Sequence, residues 1–209
     1  NEGVKSRLGG LHSAKLVLYS VDFAEIEALQ HQGDWPATAR ILSGAALSLE
    51  NAGADFLMIG TNTMHKVAPE IEEAINIPLL HIADATAKVL TQDNIQRVGL
   101  LGTRFTMEQA FYRERLEAAG IEVVTPDAPQ RAEVHRVIYE ELCQGKIQAA
   151  SREAYLAVIN SLAEQGAQAV ILGCTEIGLL IKQTDTPVPL YDTTAIHAAQ
   201  AVNQALTED

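Results

Sequence analysis

The chain has 209 residues, 47% hydrophobic and only 5% aromatic, and a formal net charge of −12. That length suits one large domain or two small lobes sharing a core, and the charge argues against nucleic acid or an anionic membrane as partner. The longest apolar runs, such as residues 98–102, are far too short to span a bilayer.

Strand-like and helix-like stretches alternate, which points to an α/β fold with a mostly parallel sheet. Residues 14–20 read as a strand. Asp34 reads as an N-cap with Pro36 in the first turn of a helix to about residue 51. A buried strand is expected over 56–59, then a helix over 64–75 whose Val67, Ile71, Ala74 and Ile75 share one face. A short strand follows at 79–82 and a helix at 83–90. The next expected elements are a strand at 97–101, a helix at 106–119 and a strand at 122–124. Helices over 130–143 and 151–165 are separated by a turn at Gly145. The chain closes with a strand at 169–172, a helix at 175–181, a strand at 188–190 and a helix at 194–206.

Residues 53–63 recur in the same register as residues 166–176, with Thr61 aligned on Cys174. Each copy is a short apolar run, a glycine, a small hydroxyl or thiol residue, and a segment able to start a helix. Downstream, residues 78–86 are loosely echoed by 189–194. Self-similarity of this kind marks a duplicated supersecondary unit. Two copies with one reactive-type residue each can set two groups on opposite faces of a carbon. In parallel sheets the carboxyl ends of strands carry the site, and Thr61, Thr103 and Cys174 each fall one residue beyond an expected strand end.

Cys174, between a strand end and an expected helix start, reads as a reactive thiol with a pKa lowered by the helix dipole. Cys143 lies on the apolar stripe of Val137, Tyr139 and Leu142 and reads as core. Thr61, Asn62 and Thr63 offer two hydroxyls and an amide, more than an N-cap requires, and suit carboxylate binding. Thr103 in Gly102–Thr106 fits a simple cap as well as a site. Two cysteines make no disulfide framework, and the polar N-terminus has no apolar signal core, so a reducing cytoplasm is expected. His65 and His81 are isolated, and no His/Cys/Asp set has metal-ligand spacing. There is no dinucleotide fingerprint, no phosphate loop and no lysine in a pyridoxal-phosphate setting. The chemistry is therefore expected to use no cofactor and no metal.

Thr61-Asn-Thr-Met-His65 resembles the Cys-Asn-Thr-x-His motif of the aspartate/glutamate racemase superfamily, and Gly173-Cys-Thr-Glu176 resembles its second motif. Residues 138–145 resemble a segment between them. The likeness is nearest to the enterobacterial L-aspartate/glutamate-specific branch, because glutamate racemases usually carry Cys-Thr-His at the second position. The resemblance implies two pseudo-symmetric α/β lobes, 1–94 with 194–209 and 95–193, with a site between them. It places the first strand and a glycine-rich loop upstream of Asn1. It implies a homodimer and a two-base mechanism in which one thiol removes the Cα proton and a group on the opposite face returns one. Cys174 then takes the second-cysteine role, facing the L-enantiomer, and Thr61 stands where the first cysteine is usual. Asn62, Thr63, Thr103 and Thr175 match positions that hold the substrate carboxylate and amine. Gln30 matches a side-chain-recognising position, and Lys146 is a candidate for the distal carboxylate.

The reading is a cofactor-independent racemase of a dicarboxylic amino acid, L-Asp or L-Glu. Two alternatives stay open. One is a single-cysteine decarboxylase or cis–trans isomerase of the same superfamily, and the other is a silent amino-acid-binding protein on the same lobes.

Overall fold

The computed structural model describes residues 1–207; Glu208 and Asp209, which the sequence assigns to the first lobe, lie outside the described residues. In chain order the elements begin with helices α1 (Glu2–Leu8), α2 (Phe23–Gln32) and α3 (Trp35–Asn51), then strand β1 (Leu57–Met58). A 3-10 turn, Thr63–Val67, leads into α4 (Ala68–Ala74), β2 (Leu79–Leu80), α5 (Ile82–Gln92) and β3 (Arg97–Gly102). There follow α6 (Arg104–Glu108), α7 (Ala110–Ala118), β4 (Glu122–Val124), α8 (Ala128–Glu140) and α9 (Ala149–Glu164). The chain ends with β5 (Ala169–Gly173), α10 (Ile177–Leu180), β6 (Leu190–Asp192) and α11 (Thr193–Leu206).

The chain divides into two units. The first holds Asn1–Ile59, Lys66–His81 and the chain from Ala198 on; the second holds Gly60–His65 and Ile82–His197. In the first unit β1 and β2 pair in parallel, Leu57 opposite Leu79. Leu57 joins Ala39 and Ala46 of α3 and Val67, Ile71 and Ile75 in one buried cluster, as the helical spacing of those residues predicts. Asp34 caps α3 by accepting from the Ala37 amide at 2.9 Å.

The second unit holds a parallel sheet in the order β4-β3-β5-β6. Its side chains alternate between two faces. Leu101, Val170 and Leu172 pack with Val134, Val137 and Ile138 of α8, Tyr155, Ile159 and Leu162 of α9, and Ile177 and Leu180 of α10. Val98, Leu100, Ala169 and Ile171 pack on the other face with Ile82 and Leu90 of α5 and Tyr112 and Leu116 of α7. Helices cover both faces, which is why these strands read as continuous apolar runs. The fold class is α/β, with parallel sheets flanked by helices.

The sequence repeat has a structural counterpart in each unit. Gly53 (φ 87°) follows α3, and Gly166 (φ 91°) follows α9; both use the left-handed conformation that only glycine enters freely. The next amide in each copy turns back onto the helix, Ala54 to the Leu49 carbonyl at 3.2 Å and Ala167 to the Leu162 carbonyl at 3.0 Å. Three residues later each strand meets its neighbour through a proline carbonyl, Leu57 to Pro78 at 2.9 Å and Val170 to Pro189 at 2.8 Å.

Several sequence expectations shift. Residues 14–20 form no strand: Leu16 and Leu18 are 66% and 80% exposed, and a strand without a neighbouring ladder has no reason to form. The helix expected over 64–75 divides, because Pro69 is held in the first turn of α4 and the chain before it tightens into the 3-10 turn. The helix over 106–119 starts at Arg104 and breaks at Gln109, whose ψ of 152° is extended. The strand expected at 188–190 runs instead from Leu190 to Asp192, since Pro189 has no amide for the ladder. Helix α2, capped by Asp22, went unassigned from sequence.

Candidate active site

β3 and β5 are neighbours, and their last residues, Gly102 and Gly173, are register partners. A side chain on either would collide with backbone: a Cβ on Gly102 would lie 2.8 Å from the Gly173 carbonyl oxygen, and one on Gly173 would lie 2.6 Å from that of Leu101. These glycines let the two strand ends close together, and the next residues are Thr103 and Cys174.

Thr103 caps α6, its hydroxyl accepting from the Thr106 amide at 3.3 Å. The Thr103 hydroxyl also meets the Thr63 hydroxyl at 2.9 Å, and Thr106 Oγ1 lies 3.4 Å from Thr63 and 3.3 Å from Thr103. All three threonines are buried. The result is a cluster of hydroxyls without a carboxylate in it, a donor set suited to a carboxylate guest.

Asn62 is 2% exposed. Its amide Nδ2 donates to Thr193 Oγ1 at 3.1 Å, and the Thr193 hydroxyl donates to the Leu172 carbonyl of β5 at 2.9 Å. The Thr193 hydrogen is committed to Leu172, so Asn62 must be the donor of the pair, and this fixes which way its amide faces. Oδ1 is then buried with no hydrogen-bond partner among the described residues. A buried carbonyl oxygen in that condition costs about 1–3 kcal/mol. It is an acceptor with hydrogen-bonding capacity to spare.

His65 locks the same loop. Its Nδ1 lies 2.7 Å from the Thr61 carbonyl, and its Nε2 accepts from the Ile82 amide at 3.2 Å. Accepting at Nε2 puts the ring proton on Nδ1, so Nδ1 donates to Thr61. Burial lowers the His65 pKa to about 3, opposed in part by the Thr61 hydrogen bond and aided by the nearby His197. His65 is therefore a neutral rivet for Thr61, the structural role that a lone histidine suggests.

Cys174 is 8% exposed and belongs to the apolar cluster of α8, α9 and α10. Its thiol donates to Glu176 Oε2 at 3.0 Å, and the Thr175 hydroxyl donates to the same oxygen at 2.5 Å. Burial first and the Glu176 carboxylate second push the Cys174 thiol well above its ordinary pKa. This corrects the expectation of a depressed thiol. Helix α10 starts at Ile177 and spans 4 residues, so the sulfur sits off a helix start, beside an anion. Cys143 is corrected too: it is exposed in the turn after α8, outside the core. Its thiol is pushed up to about 11 by partial desolvation and by Glu176.

The family model for Asp/Glu/Hydantoin racemases matches residues 1–201. The chain belongs to this family. A Yersinia pestis protein proposed to be an Asp/Glu racemase is 59% identical, with a TM-score of 0.92 over 99% of this chain and 90% of its own. An aspartate racemase homologue from Pyrococcus horikoshii is 33% identical, with a TM-score of 0.83 over 99% and 92%. A broad-specificity amino-acid racemase of Bacillus subtilis is 30% identical over 166 residues, 79% of this chain and 71% of the relative. Membership makes the protein an enzyme of a racemase family.

Within this racemase the sequence-derived candidates divide. Thr61, Asn62, Thr63, Thr103, Cys174 and Thr175 all lie in the second unit. The structure joins Thr63 to Thr103, Cys174 to Thr175 through Glu176, and Asn62 to β5 through Thr193. Thr61 is half-buried and stands three residues past β1, not one. Gln30 is buried on α2 in the first unit. Lys146 is exposed, its ammonium on Gln144 Oε1 at 2.7 Å. Thr193 and Glu176 were missed as participants. Thr193 lies in the echo of the first repeat at 189–194, the signal that could have found it. Among the described residues no group of His, Cys, Asp and Glu is set to hold a metal ion, and no helix is long and apolar enough to cross a membrane.

Proposed function

We propose that the protein is a cofactor-independent racemase of acidic amino acids, L-Asp or L-Glu, that removes the Cα proton on one face and returns a proton on the other. The observation that carries this reading is the buried, unpartnered Asn62 Oδ1 on the residue next in the chain to Thr63, whose hydroxyl joins the cluster with Thr103 and Thr106. An acceptor for an ammonium and donors for a carboxylate are the two halves of an α-amino-acid clamp. The named activities of the relatives support the substrate class. Cys174 is assigned as acid and base on the face of the L-enantiomer. Thr61, aligned with Cys174 in the repeat, is assigned to the opposite face. Its hydroxyl is too weakly acidic to be an alkoxide at neutral pH, so it acts as a donor or relay. Thr175, whose hydroxyl hydrogen goes to Glu176 and whose oxygen is left as an acceptor, is assigned to the substrate amine, Lys146 to the distal carboxylate and Gln30 to the substrate side chain. A homodimer in the cytoplasm belongs to the same proposal.

The test is proton NMR of L-Asp, L-Glu and their D-enantiomers in D2O with the protein. Fast Cα exchange of an L-enantiomer, with slower inversion, is the expected result. Thr61→Cys should raise inversion and D-enantiomer exchange. Binding without exchange indicates a silent binding protein. Turnover of a malonate or maleate, with neither amino acid affected, indicates the single-cysteine chemistry.

A further inference from the structure

We propose that Thr193 is the positioning residue for Asn62 and, through it, the residue that makes the site select an α-amine over an α-carbonyl. The proposal rests on the reading of Asn62 as the amine half of an amino-acid clamp. The two ends of an asparagine amide have nearly the same shape, one accepting and one donating, so its partners decide which end faces where. Asn62 takes its orientation from a chain of groups that all belong to the second unit. The Leu172 carbonyl can only accept, and the Thr193 hydroxyl donates to it at 2.9 Å. What the Thr193 oxygen then offers Asn62 is a lone pair, and Nδ2 donates to it at 3.1 Å. Oδ1 is left on the other side of the amide, buried and without a partner among the described residues.

Thr193 is fully buried and stands where β6 turns into α11. Leu172 and Asp192 are the last register pair of β5 and β6, and the hydroxyl of the next residue adds one more bond to β5 at Leu172. Asp192 fixes the same corner, its Oδ1 accepting from the Thr194 amide at 2.9 Å. The polarity of a backbone carbonyl at the end of the sheet is thus passed, through one hydroxyl and one amide, to the atom that meets the ligand. A group placed at Oδ1 must bring a hydrogen. An α-ammonium brings one together with a positive charge, and an α-hydroxyl brings one without the charge. A 2-oxo oxygen brings only lone pairs and is repelled. Without the Thr193 hydroxyl nothing holds the amide this way round, and once turned over it would offer Nδ2 to the oxo group instead.

The experiment is calorimetric titration of the protein, Thr193→Val and Thr193→Ser with L-Glu, L-2-hydroxyglutarate, glutarate and 2-oxoglutarate, or with the four-carbon counterparts if L-Asp binds better. The parent should bind L-Glu about ten- to hundredfold more tightly than 2-oxoglutarate. The hydroxy acid should fall between them, and the oxo acid should bind no better than glutarate, which has only hydrogens at that carbon. Thr193→Val, nearly the same in shape, should shrink the preference for L-Glu over 2-oxoglutarate by about tenfold or more. Thr193→Ser, which keeps the hydroxyl, should hold it within about threefold of the parent. A merely structural threonine weakens all four ligands together, so an unchanged ratio in Thr193→Val overturns the proposal. A parent that binds 2-oxoglutarate as well as L-Glu also overturns it, and that result needs no variant to fold. If the parent binds neither L-Asp nor L-Glu, the racemase reading fails, and NMR of the Asn62 side-chain amide decides the positioning role. Its Nδ2 hydrogens should then exchange with D2O more slowly in the parent and Thr193→Ser than in Thr193→Val, and equal rates overturn the proposal.

Discussion

Replacing Asn62 by the near-isosteric leucine should weaken substrate binding while leaving the fold as stable or more so. The Nδ2 bond to Thr193 at 3.1 Å would be lost, costing about 0.5–1.5 kcal/mol. The unpartnered Oδ1 would also go, relieving about 1–3 kcal/mol. The net change in unfolding free energy is then between about −0.5 and +2.5 kcal/mol, which in a chain of this size is a melting shift of about −2 to +10 °C. Binding should move the other way. The oxygen in question would accept from a charged ammonium, an interaction of about 1.5–3 kcal/mol, or roughly ten- to hundredfold in Kd. Thermal melting of the free protein and calorimetric titration with L-Asp and L-Glu measure the two terms separately. A purely structural asparagine gives the reverse pattern. Destabilisation of about 2 kcal/mol or more with unchanged affinity would refute the ammonium-acceptor assignment.

Three further outcomes follow from the geometry. Cys174→Ser should abolish Cα exchange with the melting temperature within a few degrees of the parent; because Cys143 is exposed and Cys174 buried, peptide-level alkylation at neutral pH should label Cys143 first, and substrate should slow labelling of Cys174 only. Gly102→Ala should destabilise by about 1–3 kcal/mol, since the added methyl meets the Gly173 carbonyl oxygen at 2.8 Å and strands must part to admit it; denaturant unfolding measures this, and a neutral variant would mean that the strand ends do not need the close approach. Stability should also fall in acid through His65, whose pKa drops from 6.5 to about 3 on folding: between those values the unfolded chain holds the extra proton, so the contribution is complete above about pH 6.5 and declines by up to about 1.4 kcal/mol per pH unit as pH falls toward 3. His65→Gln should flatten that part of the stability profile, and an unchanged slope would place the acid sensitivity elsewhere.

The repeat, the parallel α/β class and most elements were legible because they rest on local signals. Asp34 with Pro36 marks a helix start, Gly53 and Gly166 mark helix ends, and the buried runs at β3 and β5 have no polar interruption. What the sequence hid depends on partners far along the chain. The apolar stretch at 14–20 has strand composition, yet strand formation needs a neighbour that composition cannot supply. Cys143 shares helical spacing with Val137 and Leu142, but α8 ends at Glu140 and the next turn points the thiol outward. For the site, hydroxyls and amides were readable as a set because they follow strand ends, whereas Thr193 could be placed only by its bond to Leu172.

The reversed expectation for Cys174 has the most chemical consequence. A helix-start argument predicts a thiolate, a base at rest. The structure instead gives a short helix that begins late, a buried sulfur and a carboxylate two residues on. Burial and a like charge both favour the neutral thiol, so the resting group is an acid. For a group proposed to take a proton from carbon, that is a workable starting point only if the thiol proton has somewhere to go. The group that holds the thiol hydrogen is the Glu176 carboxylate. An anion next to a buried thiol raises the cost of thiolate formation, so Cys174 rests as a neutral thiol.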